Sequence, residues 1–194
     1  MGVGLLWASG CSRGPERIHP PALDAAAAAA AAVQQYDTDG DGKIAGEELD
    51  EAPALKQALA NLDTDGDQAV TAAEIEARID SWRQSRMGLA SVSCAITKGG
   101  KPLEGATLTF DPENFLGDGY VAATGETDEY GMVVPSIPTT GPTDPPGVPP
   151  GFYLVRITHP TLDIPAKYNS ETTLGQEVAL DARNLFDGLA YELD

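Results

Sequence analysis

Apolar positions along the chain change their spacing once, close to residue 88. Before it they recur with the period of an α-helix, and after it they alternate as in a half-buried strand. In the first region Asp24 precedes eight alanines at 25–32, followed by Val33 and Tyr36. Alanine has the highest helix propensity and Asp24 can cap the start, so this stretch predicts a helix, whose first turn reads equally as a spacer because only Val33 and Tyr36 offer bulk. A short helix fits 46–52 and ends at Pro53, which can itself open a third helix over 53–62 with Leu55, Leu59 and Leu62 at i, i+4 and i+7. A fourth, from Ala72 to about Arg86, puts Ile75, Ile79 and Trp82 on one face, with Thr71 and Glu74 placed for its N-cap and Gly88 for its C′ stop. These stripes read as core rather than as a docking groove.

Beyond Gly88, Val92, Cys94 and Ile96 alternate with small or polar residues, Gly99-Gly100 predicts a hairpin turn, and Leu108 and Phe110 return facing inward. Further strands are expected near 120–124, 132–137, 152–158, 177–180 and 189–193. Six or seven short strands with turn signals between them predict an antiparallel sandwich. The expected class is α+β in two domains, a small all-α unit over 24–87 and an antiparallel β-sandwich over 89–194, after a leader at 1–11 and a proline-bearing tether at 12–23.

The candidate chemistry lies in the helical half. Asp37-Thr38-Asp39-Gly40-Asp41-Gly42-Lys43-Ile44-Ala45-Gly46-Glu47-Glu48 is repeated imperfectly, at an offset of 26 positions, from Asp63 to Glu74. A hard divalent cation takes about six to eight oxygens, and carboxylates at alternate positions of a tight loop converge on one point. Asp37, Asp39 and Asp41 stand at positions 1, 3 and 5, the Lys43 carbonyl at 7 and Glu48 at 12. The copy offers Asp63, Asp65, Asp67, the Ala69 carbonyl and Glu74. Both loops resemble those of the EF-hand family, which implies two calcium ions and pairing of the loops through Ile44 and Val70 at position 8. Position 6 departs in the copy, where Gln68 replaces the glycine of the sharp turn, at a cost of roughly 1 kcal/mol in a left-handed conformation. The second site is therefore expected to be the weaker.

Composition sharpens this picture. The chain has 194 residues and a net charge of −18, and nine carboxylates of the two loops face a single basic side chain, Lys43. The acidity thus reads first as metal ligation, and it argues against a nucleic-acid partner. No stretch approaches the ~20 apolar residues of a membrane-spanning helix, and two cysteines, Cys11 and Cys94, allow one disulfide at most.

Ala8-Ser9-Gly10-Cys11 resembles a bacterial lipobox. That resemblance implies cleavage before Cys11, lipidation of its thiol and a place in the cell envelope, outside the cytoplasm, with the membrane touched only through the anchor; the alternative is an ordinary terminal cysteine. Gly99-Gly100-Lys101-Pro102-Leu103-Glu104-Gly105-Ala106, Thr127-Asp128-Glu129-Tyr130-Gly131 and Gly151-Phe152-Tyr153-Leu154-Val155-Arg156 resemble, in order, three phrases of carboxypeptidase-regulatory-like and transthyretin-like domains. An Ig-like, non-catalytic accessory module over 89–194 is what this implies, with a Pro- and Gly-rich insertion at 138–151 as the departure.

Catalytic groups are scarce. The two histidines are His19, in the tether, and His159, beside Pro160, and no HExxH, Gly-x-Ser-x-Gly, CxxC or phosphate loop is present. His159 with Asp163 reads as a surface pair, Cys94 as a small buried hydrophobe, Lys98 and Asn184 as surface residues rather than an isopeptide pair, and Tyr168 as either packing or binding. The sequence thus points to a non-catalytic calcium-binding envelope lipoprotein that spaces or displays, its partner an envelope protein or glycan. A calcium-responsive regulator is the alternative, and a hydrolase with structural calcium a weaker one.

Overall fold

The computed structural model describes residues 23–139, 146–183 and 185–194. The leader with Cys11, nearly all of the tether, Asn184 and residues 140–145 of the insertion lie outside the described residues. Four helices, α1 (Ala25–Tyr36), α2 (Glu47–Asp50), α3 (Pro53–Leu62) and α4 (Ala72–Ser85), are interleaved with two three-residue strands, β1 (Lys43–Ala45) and β2 (Ala69–Thr71). Eight strands follow: β3 (Cys94–Lys98), β4 (Lys101–Pro102), β5 (Thr107–Pro112), β6 (Ala123–Glu126), β7 (Met132–Val133), β8 (Gly151–Thr158), β9 (Gly175–Val178) and β10 (Leu189–Leu193). The class is α+β. No helix among the described residues is long and apolar enough to cross a membrane.

Local signals set the helix boundaries. Asp24 caps α1 by accepting from the Ala27 N–H at 3.1 Å, and Pro53 opens α3. At α4 the Thr71 hydroxyl accepts from the Glu74 N–H while the Glu74 carboxylate reaches back to the Thr71 N–H, a reciprocal capping box. The expected stop at Gly88 is not used: Arg86, at φ 56°, is the left-handed residue that ends α4, two positions earlier. The alanine run packs more closely than its lack of bulk predicts. Ala25, Ala28, Ala29 and Ala32 form a buried stripe, and α1 lies along α4. Small side chains let two helices approach closely, so close backbone packing stands in for large apolar groups.

The eight later strands form two four-stranded sheets, one with order β6-β5-β8-β9 and one in which β3 lies between β10 on one edge and β4 and β7 on the other. The arrangement is compatible with a β-sandwich. Two pairings differ from expectation. Gly99 and Gly100, at φ 55° and 74°, turn β3 into β4, whereas β5 crosses to the other sheet and pairs with β6 and β8. The last strand, β10, runs parallel to β3, with Leu189 opposite Cys94 and Leu193 opposite Lys98, an exception to the antiparallel pattern. The inward alternation holds: Val92, Cys94, Ile96, Leu108 and Phe110 are all fully buried. Burial alone pushes the Cys94 thiol up to about 12, in keeping with a packing role.

The helical and sheet segments share one continuous core. On β8, period-2 alternation turns Phe152 away from Tyr153, Val155 and Ile157, and Phe152 meets Trp82 of α4 edge-on at 4.7 Å between ring centroids. Gly175 of β9 lies so close to Pro53 and Ala54 that a Cβ there would strike their backbone. Glu177 ties the layers together, its carboxylate accepting from Arg78 Nε at 2.6 Å, Trp82 Nε1 at 2.9 Å and Asn61 Nδ2 at 3.0 Å.

A second junction involves Glu113, 2 % exposed, which follows β5 and accepts from the Tyr36 hydroxyl at 2.8 Å through one oxygen while the other has no partner. Burial pushes its carboxyl up from 4.5 to about 7, against the smaller opposing effect of the Tyr36 hydrogen bond. Between those two values the folded protein holds a proton that the unfolded chain has released, so stability falls as pH rises through the window. The loss expected between about pH 4.5 and 7 is about 3 kcal/mol. Urea unfolding across this range should show that loss in the wild type and its removal in Glu113→Gln.

Candidate metal centre

Each acidic loop is built around its first aspartate. Asp37 accepts from the Gly40 N–H at 2.7 Å and the Gly42 N–H at 2.9 Å, which folds the chain around one carboxylate. Asp63 does the same with Gly66 at 2.6 Å and Gln68 at 2.9 Å. Asp39 and Asp41 then accept from the N–H groups of Asp41 (3.1 Å) and Lys43 (2.8 Å), as Asp65 and Asp67 accept from those of Asp67 (3.2 Å) and Ala69 (2.9 Å). The terminal glutamates close both loops alike. Glu48 bonds the N–H groups of Thr38 at 2.7 Å and Ala45 at 3.1 Å, and Glu74 those of Thr64 and Thr71, both at 2.9 Å. Two segments of different sequence thus share one hydrogen-bond pattern at a fixed offset.

The loops meet through β1 and β2, which pair antiparallel with Ile44 opposite Val70, both fully buried. Carboxylate oxygens of Asp37, Asp39 and Glu48 lie within 4.8 Å of one another, as do those of Asp63, Asp65 and Asp67. Each group can hold a metal ion. Asp41 stands outside the first trio and Glu74 outside the second, the latter with both oxygens engaged by Thr64 and Thr71. Lys43 and Ala69 sit at the entrances of β1 and β2, where a backbone carbonyl is the only ligand they can offer.

Electrostatics keep the glutamates ionised. Backbone donation from Ala45 and then Thr38 holds the Glu48 carboxyl below its ordinary value. Burial pushes Glu74 up, but the bonds it receives from Thr64 and Thr71 outweigh this and leave it lowered. The donor set is wholly oxygen, and neither group includes a thiolate or an imidazole. Such a set suits a hard cation such as calcium and disfavours soft or borderline metals.

Gln68 adopts φ 64°, where Gly42 of the first loop has φ 89°. The Cβ penalty read from the sequence is therefore present in the fold. Gln68→Gly is expected to stabilise the protein by about 0.5–1 kcal/mol, checked by urea unfolding in chelator.

One contact has no counterpart in the sequence reading: the Lys43 ammonium crosses β1 and β2 to bond Asp67, and holds that carboxyl below its ordinary value. The β1–β2 register brings the two residues together, and no local spacing signals it. A cleft of about 450 Å³ between Tyr36, Glu51, Arg156 and Thr172 was likewise invisible, being built from segments far apart in the chain. The other candidates are occupied structurally. Nε2 of His159 bonds the Glu104 carbonyl at 3.0 Å, and its Nδ1 accepts from the N–H groups of Thr161 and Leu162. Tyr168 is buried and donates to Asp194 at 2.5 Å, which resolves it as packing. Compared with known proteins, the chain matches no family model, no curated protein and no solved structure.

Proposed function

We propose that this protein is a calcium-binding structural or interaction module whose two acidic loops form an EF-hand pair seated on an Ig-like, transthyretin-like sandwich. The observation that carries the reading is the recurrence of one hydrogen-bond pattern around Asp37 and Asp63, with the two loops joined at Ile44 and Val70. The ligands are Asp37, Asp39, Asp41, the Lys43 carbonyl and Glu48 in the first site. In the second they are Asp63, Asp65, Asp67, the Ala69 carbonyl and Glu74, which leaves its cap to complete the shell. Calcium supplies charge neutralisation and cross-linking of the loop; the chain itself carries out no bond-breaking chemistry in this reading.

We rank a structural role above a regulatory one because Ile75, Ile79 and Trp82 are buried in the shared core, with Trp82 packed against Phe152 of β8. The hydrolase reading ranks lowest, since His159 has both ring nitrogens engaged. Tyr130, Met132 and Val134, exposed at alternate positions along the β7 edge, favour contact with a partner, which we place in the cell envelope as a protein or glycan, with the chain anchored through lipidated Cys11.

Titration calorimetry of the full chain tests the proposal. Two ions are expected to bind, with dissociation constants of about 10⁻⁴–10⁻³ M or tighter. Glu48→Gln and Glu74→Gln should each remove one of the two. Absence of heat at millimolar calcium rejects the reading.

A further inference from the structure

The two loops share their backbone design but differ at two charged positions, Lys43 and Glu47 of the first standing where the second has Ala69 and Ala73. Lys43 contributes a backbone carbonyl to the first site, and its side chain is free to reach elsewhere. It crosses the antiparallel β1–β2 pair, where Lys43 stands opposite Thr71, and its ammonium bonds the carboxylate of Asp67 at position 5 of the second loop. Asp67 belongs to the trio whose oxygens lie within 4.8 Å of one another. The equivalent of Lys43 in the second loop is Ala69, which has no charge to return. Asp41, the counterpart of Asp67, accepts from the Lys43 N–H at 2.8 Å, and among the described residues no side-chain cation pairs with it. The second loop therefore holds an ammonium supplied by the first, with no cation supplied in return.

We propose that the Lys43 ammonium is the resident counter-ion of the second loop, sets that loop's calcium affinity, and makes the first loop fill before it. The inference rests on the calcium reading and assigns a role that the ligand set alone does not contain. A divalent ion entering between Asp63, Asp65 and Asp67 must either share Asp67 with the ammonium or displace it. Both outcomes oppose binding, because a positive charge a few ångströms away repels the ion. At the first loop the same ammonium acts on Asp41 more weakly than on Asp67, and it forms its ion pair with Asp67. The effect is distinct from the Gln68 backbone strain, which weakens the same site without any charge, so ionic strength separates the two.

Calorimetry on the full chain at about 20 mM and about 1 M monovalent salt provides the test, with calcium as the probe. At low salt Lys43→Met is expected to tighten the weaker site about tenfold, and at high salt the gain should shrink to about twofold. Lys43→Arg should behave as the wild type, and Gln68→Gly should tighten the weaker site by a factor independent of salt. The side-chain ammonium resonance of Lys43 in the unmodified protein should shift along the isotherm of the weaker site. A Lys43→Met gain below twofold at low salt, a gain confined to the stronger site, or an ammonium signal indifferent to calcium overturns the inference while leaving the calcium sites standing. No heat from the wild type overturns both.

Discussion

Replacing Glu177 by alanine is expected to cost about 3–5 kcal/mol of folding stability, the range for a buried ion pair that loses one partner. Glu177 is 1 % exposed and serves three donors from two helices: Asn61 on α3, and Arg78 and Trp82 on α4. Its backbone N–H also donates to the Gln57 side chain at 2.9 Å, which fixes β9 against α3. Without the carboxylate, Arg78, 8 % exposed, keeps only Asp181, a residue whose side chain is 70 % exposed and screened by water. The indole N–H and the Asn61 amide are left without their acceptor. Glu177→Gln should cost less, and the double change Glu177→Leu with Arg78→Met less than Glu177→Ala alone, because it removes the stranded charge together with its partner. Urea unfolding at neutral pH measures all three, and a loss under about 1 kcal/mol for Glu177→Ala would refute the account.

If the proposed calcium sites are filled, removing the ion is expected to be the second large effect. With dissociation constants of about 10⁻⁴–10⁻³ M, 10 mM calcium is about 10–100 times the constant and stabilises by about 1.4–2.7 kcal/mol per site. Two sites give about 3–5 kcal/mol, which in a chain of this size moves the melting temperature by about 5–20 °C. The helices carrying the loops pack on the sheet through Phe152, Gly175 and Glu177, so chelation is expected to lower one cooperative transition rather than melt the helices alone. Circular dichroism at helix and strand wavelengths should trace a single curve with and without chelator, displaced in temperature. Superimposable curves in the two conditions would remove the calcium contribution.

What the sequence disclosed was local. Pro53, the Thr71 and Glu74 pair and the twelve-residue acidic frames act within a few positions of themselves, and the helices and loops they predict stand in the fold. The alternation of Val92, Cys94 and Ile96 was equally readable, because a strand's two faces need no knowledge of its neighbour. Partnership was not readable. Nothing near Ala106 indicates that β5 leaves β3 for β8, and nothing near Glu177 indicates that its carboxylate meets residues about 100 positions earlier. The packing of the α1 alanines is hidden for the same reason, since their contribution depends on how near α4 can come. Gly88 misled because any residue able to tolerate a left-handed φ can stop a helix, and Arg86 did so first.

The seam at Gly175 sets a limit on modularity. Pro53 and Ala54 press against a position that has no room for a methyl group, and Trp82 lies against Phe152. Grafting α1–α4 onto another protein would leave an aromatic ring and a stranded guanidinium facing solvent, and the strands left behind would lose the cover over Phe152. The acidic loops are thus no transferable cassette: whatever rigidity they bring to ion capture is borrowed from the β-sheet beneath them.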